Sequence, residues 1–324
     1  MARGSRRGAA ILALAVVALM GCRCPPPIPA ETPTKHVAVE ARYPGGPRLV
    51  AIGDLHGDLE RTREALRLAG AIDEKDQWIG GDLVVVQTGD QLDRGDGERA
   101  ILDLFERLAR EAQAAGGAVH ALIGNHETMN VAGRFQYVTE AGFRAFAGLA
   151  LKAAGVELFE ERQRGRAAAF LPGGEYALKL GRRDTIAIVG ESVFVHGGLH
   201  GEHLGYGIDR INREIRDWSS GRVPGVPKCV SENPSPLWTR IYGTPEVAPE
   251  VCRQLETVLG ALGARRMVVG HTLQEHGISS ACEGRVWRID VGLSKVFGER
   301  PVQVLEIEGR EVRVRSAPVA AEGG

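Results

Sequence analysis

Residues 49–57 read Leu-Val-Ala-Ile-Gly-Asp-Leu-His-Gly, an apolar run that passes through glycine into a carboxylate and an imidazole. Two later stretches repeat the arrangement: 83–90 is Leu-Val-Val-Val-Gln-Thr-Gly-Asp, and 119–125 is Val-His-Ala-Leu-Ile-Gly-Asn. Each apolar run predicts a buried strand, and each glycine permits a sharp exit with close backbone approach. Helical patterns separate the runs, so the sequence predicts a layered α/β fold whose polar groups gather at one rim of a sheet.

The second half of the chain predicts further strands that also end in polar residues. Short strands are expected within 186–196, at 266–270 and at 286–290, and residues 302–315 predict a terminal hairpin. The strand ends at His196 and His271 each add an imidazole. Residues 131–185 are less regular, and we interpret them as a helical cap insertion beside the site.

The polar residues at these strand ends are suitable ligands for two divalent metal ions. Carboxylates and imidazoles suit Mn, Fe or Zn, and a carboxylate can bridge two cations. Asp54 and His56 lie two apart, so in an extended segment both would point the same way. We expect one ion to be held by Asp54, His56 and Asp90, and the other by Asp90, Asn125, His196 and His271. Two such ions ~4 Å apart would clamp a phosphoryl oxygen and hold a hydroxide for in-line attack.

Hydrolysis of a phosphoester also requires a proton for the leaving group. His126 lies beside the ligand Asn125 and is the expected general acid. Asp93 would accept the other ring N–H of His126 and keep the imidazole oriented. Arg94 is expected to grip phosphate oxygens, and Arg240 is the best candidate for a second arginine with this task.

The predicted strand ends carry five motifs: GDLHG at 53–57, GDQLDRG at 89–95, GNHE at 124–127, HGGL at 196–199 and GHT at 270–272. Taken in order, these motifs resemble those of the calcineurin-like metallophosphoesterases, in particular the phosphoprotein phosphatase branch. PLWTR at 236–240 and RIDVG at 288–292 are most similar to the bacterial Shewanella-like phosphatases. The resemblance implies a four-layer α/β/β/α sandwich of two mixed sheets flanked by helices. It also implies the ligand set above, the pairing of the general acid His126 with Asp93 (the acid pair), and phosphate binding by Arg94.

The sequence therefore predicts a metal-dependent phosphomonoesterase that acts on phospho-Ser/Thr or phospho-Tyr in proteins, or on small phosphomonoesters, through a metal-bridging hydroxide. Two alternatives stay open. The same metal core serves a hydrolase of nucleotides such as diadenosine tetraphosphate. The second alternative is a non-catalytic lipoprotein that only binds metal or phosphate, although such a protein would not need a general acid. The identity of the metals and the oligomeric state are left open.

The overall charge predicts no nucleic-acid partner. The 324 residues carry a formal net charge of −1 at pH 7, and the basic residues are spread along the chain. Nucleic-acid binding normally requires a concentrated positive patch.

The N-terminal residues have the pattern of an export signal. Residues 1–21 combine early arginines with an apolar run that is short for a membrane span. Leu-Met-Gly-Cys at 19–22 resembles a bacterial lipobox, so we expect a lipid on Cys22 as the only membrane attachment, and a periplasm-facing protein. A Pro-rich tether is expected over 22–46, the phosphoesterase domain over 47–316 and a tail over 317–324.

The chain has five cysteines, and an oxidising compartment would favour a disulfide among those without lipid. Cys229 and Cys252 flank one irregular, Pro-rich stretch and are the preferred pair. The alternative is that these cysteines are free and buried.

Overall fold

The structure is a computed structural model, and it describes Met1, residues 36–150 and residues 153–317. The expected lipidation site Cys22 lies outside the described residues. The same holds for the expected signal peptide beyond Met1, for the first part of the tether and for residues 318–324 of the tail.

Eleven strands in the described residues form two sheets. The strands are β1 Arg42–Tyr43, β2 Leu49–Ile52, β3 Val84–Gln87, β4 Ala118–Ala121, β5 Ile186–Val189, β6 Ser192–Val195, β7 Arg266–Val269, β8 Ser279–Ala281, β9 Val286–Arg288, β10 Val302–Glu308 and β11 Glu311–Ala317. One sheet has the order β1-β5-β6-β7-β9-β8, and the other has the order β11-β10-β2-β3-β4. Both sheets are mixed, because parallel neighbours β2, β3, β4 and β6, β7, β9 are flanked by antiparallel strands.

Helices connect the strands and cover the sheets. They are α1 Leu59–Leu68, α2 Glu98–Ala114, α3 Asn125–Val131, α4 Glu140–Arg144, α5 Glu161–Phe170, α6 Glu175–Leu180, α7 Gly201–Tyr206, α8 Ile208–Ser219, α9 Lys228–Ser231 and α10 Pro249–Leu262. The Asp58 side chain caps α1 by accepting the N–H of Arg61, as its position before the helix predicts. Within the described residues, no helix is both long and apolar enough to cross a membrane.

The alternation of side chains along β2 explains why the layers stack. Leu49 packs in the cluster between the two sheets, where it joins Phe194 of β6. Val50, on the other face, packs with Phe105 of α2. A third cluster lies between the outer face of the six-stranded sheet and helices α8 and α10. Since successive strand residues face opposite sides, each sheet buries both faces, and the expected α/β/β/α sandwich is confirmed.

The prediction that the tether extends to residue 46 is wrong at its C-terminal end. Strand β1 pairs in parallel with β5, and Val39 and Ala41 just before it are buried in the main core. The alternation of Val37, Val39 and Ala41 follows the prolines and is too short to be recognised as a strand signal. Strand β1 nevertheless forms, because its backbone hydrogen-bonds to the free edge of β5.

Residues 131–185 are largely helical. They contain α4, α5 and α6, and they pack a small cluster of their own that includes Phe135, Phe143 and Val156. Their interpretation as a cap beside the site stays a prediction.

Candidate metal centre and acid pair

The predicted ligands lie where strands of both sheets end. Asp54, Asp90 and Asn125 follow β2, β3 and β4 of the five-stranded sheet. His196 and His271 follow β6 and β7 of the six-stranded sheet. All are nearly inaccessible to solvent. The site therefore forms where the carboxyl ends of the parallel strands of both sheets meet.

Asp90 is the centre of this arrangement. Its Oδ2 atom lies 3.2 Å from Nε2 of His196 and 3.9 Å from Nε2 of both His56 and His126. Two groups of buried side chains place candidate ligand atoms within 4.8 Å of one another: His56, Asp90 and His126, and Asp90, His196 and His271. Asp90 belongs to both groups, which is the position required of a bridging carboxylate.

Asp54 and Asn125 complete the cluster. Asp54 accepts the backbone N–H of His271 at 3.1 Å, which places its carboxylate beside the second imidazole group. The Oδ1 atom of Asn125 lies 2.8 Å from Nε2 of His196. Both residues therefore contact members of the second group, and their role as ligands stays a prediction.

Backbone carbonyls fix the orientation of the imidazoles. A carbonyl can only accept, so Nδ1 of His56 donates to Leu92 O at 3.1 Å, and Nδ1 of His196 donates to Thr88 O at 2.9 Å. Each bond leaves Nε2 facing the cluster. His271 shows the reverse, because its Nε2 donates to Trp238 O at 3.2 Å and leaves Nδ1 free. Such outer bonds select the tautomer that a metal ligand needs.

The electrostatics of the cluster favour bound cations. Burial raises the pKa of Asp54 well above its usual value, and the nearby carboxylates of Asp290 and Asp90 raise it further. Burial lowers the pKa of His56 to about 4 and that of His271 to about 2, so both imidazoles are neutral at pH 7. Neutral imidazoles beside crowded carboxylates form a donor set that divalent ions fit.

The backbone at the site is held in an uncommon conformation. Eight non-glycine residues with positive φ occur in the described residues, and five of them are predicted site residues: His56, Asp90, Asp93, Arg94 and His271. Each such residue costs about 1–3 kcal/mol and persists only where the surroundings enforce it. The prediction that an extended segment delivers both Asp54 and His56 is wrong, because His56 has a φ of 43° and turns sharply.

Two glycines are required by close approaches to ligands. A Cβ on Gly124 would lie 2.2 Å from Oδ1 of Asp90, and a Cβ on Gly270 would lie 2.3 Å from Oδ1 of Asp54. No side chain fits at either distance. Gly124 thus makes room for a carboxylate that follows the neighbouring strand, and Gly270 for one that follows a strand of the other sheet.

The predicted acid pair is also formed. Nδ1 of His126 lies 2.6 Å from Oδ2 of Asp93, and the backbone N–H of His126 donates to Oδ1 of Asp90 at 2.9 Å. Burial alone would lower the pKa of His126, but the carboxylates of Asp90 and Asp93 outweigh it and raise the pKa above its usual value. The two carboxylates therefore favour the protonated imidazole, the form that can donate a proton.

Glu127 fixes the loop that carries Asp90. Its buried carboxylate accepts backbone N–H groups of Asp90 at 2.7 Å, Gln91 at 2.9 Å, Leu92 at 3.3 Å and Gly124 at 2.7 Å. Glu127 thereby links the loops after β3 and β4, which supply Asp90, Asn125 and His126.

Arg94 and Arg240 both line the cavity of about 190 Å³ that opens onto the cluster. The guanidinium of Arg94 lies over the ring of Tyr137 at 4.8 Å, and its buried Nε has no hydrogen-bond partner among the described residues. Arg240 donates to His271 O at 2.6 Å. The structure thus brings the two predicted arginines to one cavity.

Sequence reasoning missed Tyr137 and Phe297 as residues of this cavity. Tyr137, Trp238 and Phe297 line it, and burial raises the pKa of a further lining residue, Asp290, to about 6. These residues come from distant loops without metal-ligand motifs, and only Asp290, at the end of β9, follows the strand-end pattern of the other ligands.

The predicted disulfide is wrong. Cys252 of α10 pairs with Cys282 in the turn between β8 and β9, whereas Cys229 is free and buried. The physical reason is that α10 packs on the six-stranded sheet, where that turn lies, so the partner is set by the tertiary fold and not by distance along the chain.

The chain is similar to known phosphoesterases and phosphatases. The sequence model of the calcineurin-like phosphoesterases matches residues 47–275. The chain is 40% identical to Shewanella-like protein phosphatase 2 of Arabidopsis thaliana, over 86% of this chain and 80% of the relative. It is 30% identical to Shewanella-like protein phosphatase 1 of Plasmodium berghei, over 82% of this chain and 73% of the relative. The fold is similar to a cold-active protein tyrosine phosphatase, with a TM-score of 0.70 and 24% identity over 85% of this chain and 78% of that one.

Proposed function

The chain belongs to the calcineurin-like phosphoesterase family, and we propose that it is a metal-dependent protein phosphatase that hydrolyses phosphorylated Ser/Thr or Tyr side chains. The observation that carries this proposal is the position of Asp90, which lies with His56 on one side and with His196 and His271 on the other, and beside the acid pair of His126 and Asp93. A site that only binds metal would not need that pair.

The donor set defines which residues would hold the metal ions. Asp54, His56 and Asp90 would hold the first ion. Asp90, Asn125, His196 and His271 would hold the second. When bound, two divalent ions supply Lewis-acid stabilisation of the phosphoryl group and acidify a water molecule. Mixed carboxylate, amide and imidazole ligands are compatible with Mn, Fe or Zn.

The remaining residues bind the substrate and move a proton. Arg94 and Arg240 bind phosphoryl oxygens in the shared cavity, since guanidinium groups match phosphate geometry. His126 donates a proton to the oxygen of the leaving Ser, Thr or Tyr side chain as its bond to phosphorus breaks. Asp93 keeps the imidazole oriented for this transfer through the Nδ1 bond.

A cysteine-based phosphatase mechanism is disfavoured. The free thiol of Cys229 is buried, and burial followed by the charge of Glu214 raises its pKa to about 12. A thiol must be ionised to act as a nucleophile at neutral pH. We therefore expect no phosphocysteine intermediate at Cys229, the free cysteine of the described residues.

Export and lipid anchoring through Cys22 form part of the proposal. The lipobox-like residues 19–22 support it, and the bond between Cys252 and Cys282 suits an oxidising compartment. Replacing Cys22 by Ser should release the protein from membranes. Unchanged membrane partitioning of that variant in a fractionated host would contradict lipidation.

Phosphate release measured for each combination of metal and substrate tests the function. The purified protein is loaded with Mn²⁺, Fe²⁺ or Zn²⁺ and assayed on phosphopeptides, p-nitrophenyl phosphate and diadenosine tetraphosphate. We expect metal-dependent phosphate release from the phosphopeptides. A strong preference for the dinucleotide would favour the nucleotide hydrolase instead, and no turnover on any substrate would favour the binding protein.

A further inference from the structure

Arg166 is an arginine buried inside the segment 131–185. It belongs to α5, and its side chain is inaccessible to solvent. The rings of Phe135, Phe146 and Phe170 surround it at 5.0–5.9 Å. An isolated charge in such an apolar setting would be strongly destabilising, so its polar partners decide what this residue does.

One of the partners of Arg166 is Asp93, in the loop after β3, and the others lie in helices around it. Its Nη2 atom donates to Oδ1 of Asp93 at 3.2 Å and to Oε2 of Glu98 at 2.5 Å. Its Nε atom donates to Oδ1 of Asn130 at 2.7 Å. Nη1 donates to Glu98 Oε1 at 3.1 Å and to Gly142 O at 3.3 Å. A residue of the insertion is thus bonded directly to the carboxylate that orients the general acid.

The two carboxylate oxygens of Asp93 have different hydrogen-bond partners. Oδ1 accepts from Arg166 and, at 3.0 Å, from Asn130, whereas Oδ2 faces Nδ1 of His126 at 2.6 Å. Asn130 also donates to His126 O at 2.9 Å. The closed set of bonds prevents rotation of the Asp93 carboxylate, and this fixes the direction of the His126 ring.

We propose that Arg166 is a positioning residue that holds Asp93, and through it His126, in the geometry for proton donation to the leaving group. The inference rests on the proposed phosphatase function. It makes the segment 131–185 a part of the catalytic apparatus, because α5 supplies the cation that completes the acid pair.

The dependence of the rate on the leaving group isolates this role. A poor leaving group such as the serine alkoxide depends on proton donation, whereas 2,4-dinitrophenolate leaves readily without a proton. Misplacing the acid should therefore slow hydrolysis of phosphoserine peptide and phenyl phosphate much more than that of 2,4-dinitrophenyl phosphate. A general structural defect would slow all three by the same factor, because the fraction of folded enzyme cancels in a ratio of rates.

Two variants test the proposal in the full chain. Arg166→Lys keeps the charge but loses the forked geometry. The double variant Arg166→Gln with Glu98→Gln removes one positive and one negative charge, so the net charge of the buried cluster is unchanged. Arg162→Gln is the matched control, because Arg162 lies on the same helix with its side chain 51% exposed.

We expect kcat/KM of both Arg166 variants for phenyl phosphate and the phosphoserine peptide to fall by about 10- to 100-fold, within the range that a general acid supplies. For 2,4-dinitrophenyl phosphate the fall should be less than about threefold, and Arg162→Gln should match the wild type on all substrates. Equal losses on every substrate, or none, would overturn the inference. A wild-type protein without phosphomonoesterase activity would instead overturn the proposed function.

Discussion

Oδ2 of Asp90 lies 3.2 Å from Nε2 of His196, although Asp90 follows a strand of one sheet and His196 follows a strand of the other. The centre therefore exists only when the two sheets are packed against each other. Metal binding and closure of the sandwich must be thermodynamically linked, because ligands contributed by both sheets bind the ions only in the folded state.

Replacing His126 by Ala should reduce kcat by about 10²–10⁴-fold, the contribution typical of a general acid. The ring lies beside the metal ligands but is assigned to the leaving group, so the metal content should be unchanged. Steady-state kinetics on a phosphopeptide and metal analysis of the same preparation check both parts. A wild-type rate in this variant would remove His126 from the mechanism.

The pH dependence of the rate should reflect the protonation of His126. Its pKa is raised by Asp90 and Asp93 against the effect of burial, so the active, protonated form is present below that pKa and is lost as the pH rises through it. Asp93→Asn removes one of these charges and should move the alkaline limb of the kcat profile to lower pH. A limb that stays in place, or moves to higher pH, would contradict the pairing.

Glu127→Gln should destabilise the fold, because each carboxylate oxygen accepts two backbone N–H groups, and the amide nitrogen that replaces one oxygen can accept neither of its two. We expect the free energy of unfolding to fall by about 1.5–3 kcal/mol, as for hydrogen bonds to a charged group. Urea denaturation measures it. Glu246→Gln, at an exposed position, is the control and should change little.

Reduction of the disulfide between Cys252 and Cys282 should lower stability. The two residues are 30 apart, and closing a loop of that size in the unfolded chain corresponds to about 3–4 kcal/mol. Thermal denaturation with and without dithiothreitol should show the loss. Cys282→Ser should be insensitive to the reductant, whereas Cys229→Ser should respond like the wild type; the opposite pattern would support the pairing first expected from sequence.

The strand ends were predictable because their signal is local. An apolar run, a glycine and a polar residue follow one another within a few positions, and the glycines at 124 and 270 have a steric reason that involves the ligands themselves. The coincidence of this pattern at several strands also predicts that the ligands converge, since parallel strands end at one rim.

Features that depend on three-dimensional neighbours could not be read in this way. The partner of Cys252 is determined by how α10 packs on its sheet, and β1 is recognisable only from its pairing with β5. Arg166 belongs to the run Glu-Arg-Gln-Arg-Gly-Arg at 161–166, in which nothing separates it from its exposed neighbour Arg162. Its burial follows from the aromatic cluster and carboxylates that the fold places around it.

The left-handed backbone of His56 is a further case of this kind. The spacing of Asp54 and His56 suggests an extended segment, but the N–H groups of Leu55 and His56 both donate to Asp90 O, which turns the chain. His56 does lie beside Asp90, but the reason given from its spacing is incorrect, because the loop after β3 determines the conformation of the loop after β2.

Metal content per chain is the most direct test of the central claim that six side chains hold two cations. Metal-free protein is loaded with Mn²⁺ and desalted, and its manganese content is measured by inductively coupled plasma mass spectrometry. We predict about two ions per chain in the wild type, the number that a two-metal site holds, and a lower content in Asn125→Ala, with the exposed Gln136→Ala as control. A wild-type protein that retains no ion, or an Asn125→Ala variant that retains the full content, would contradict the account.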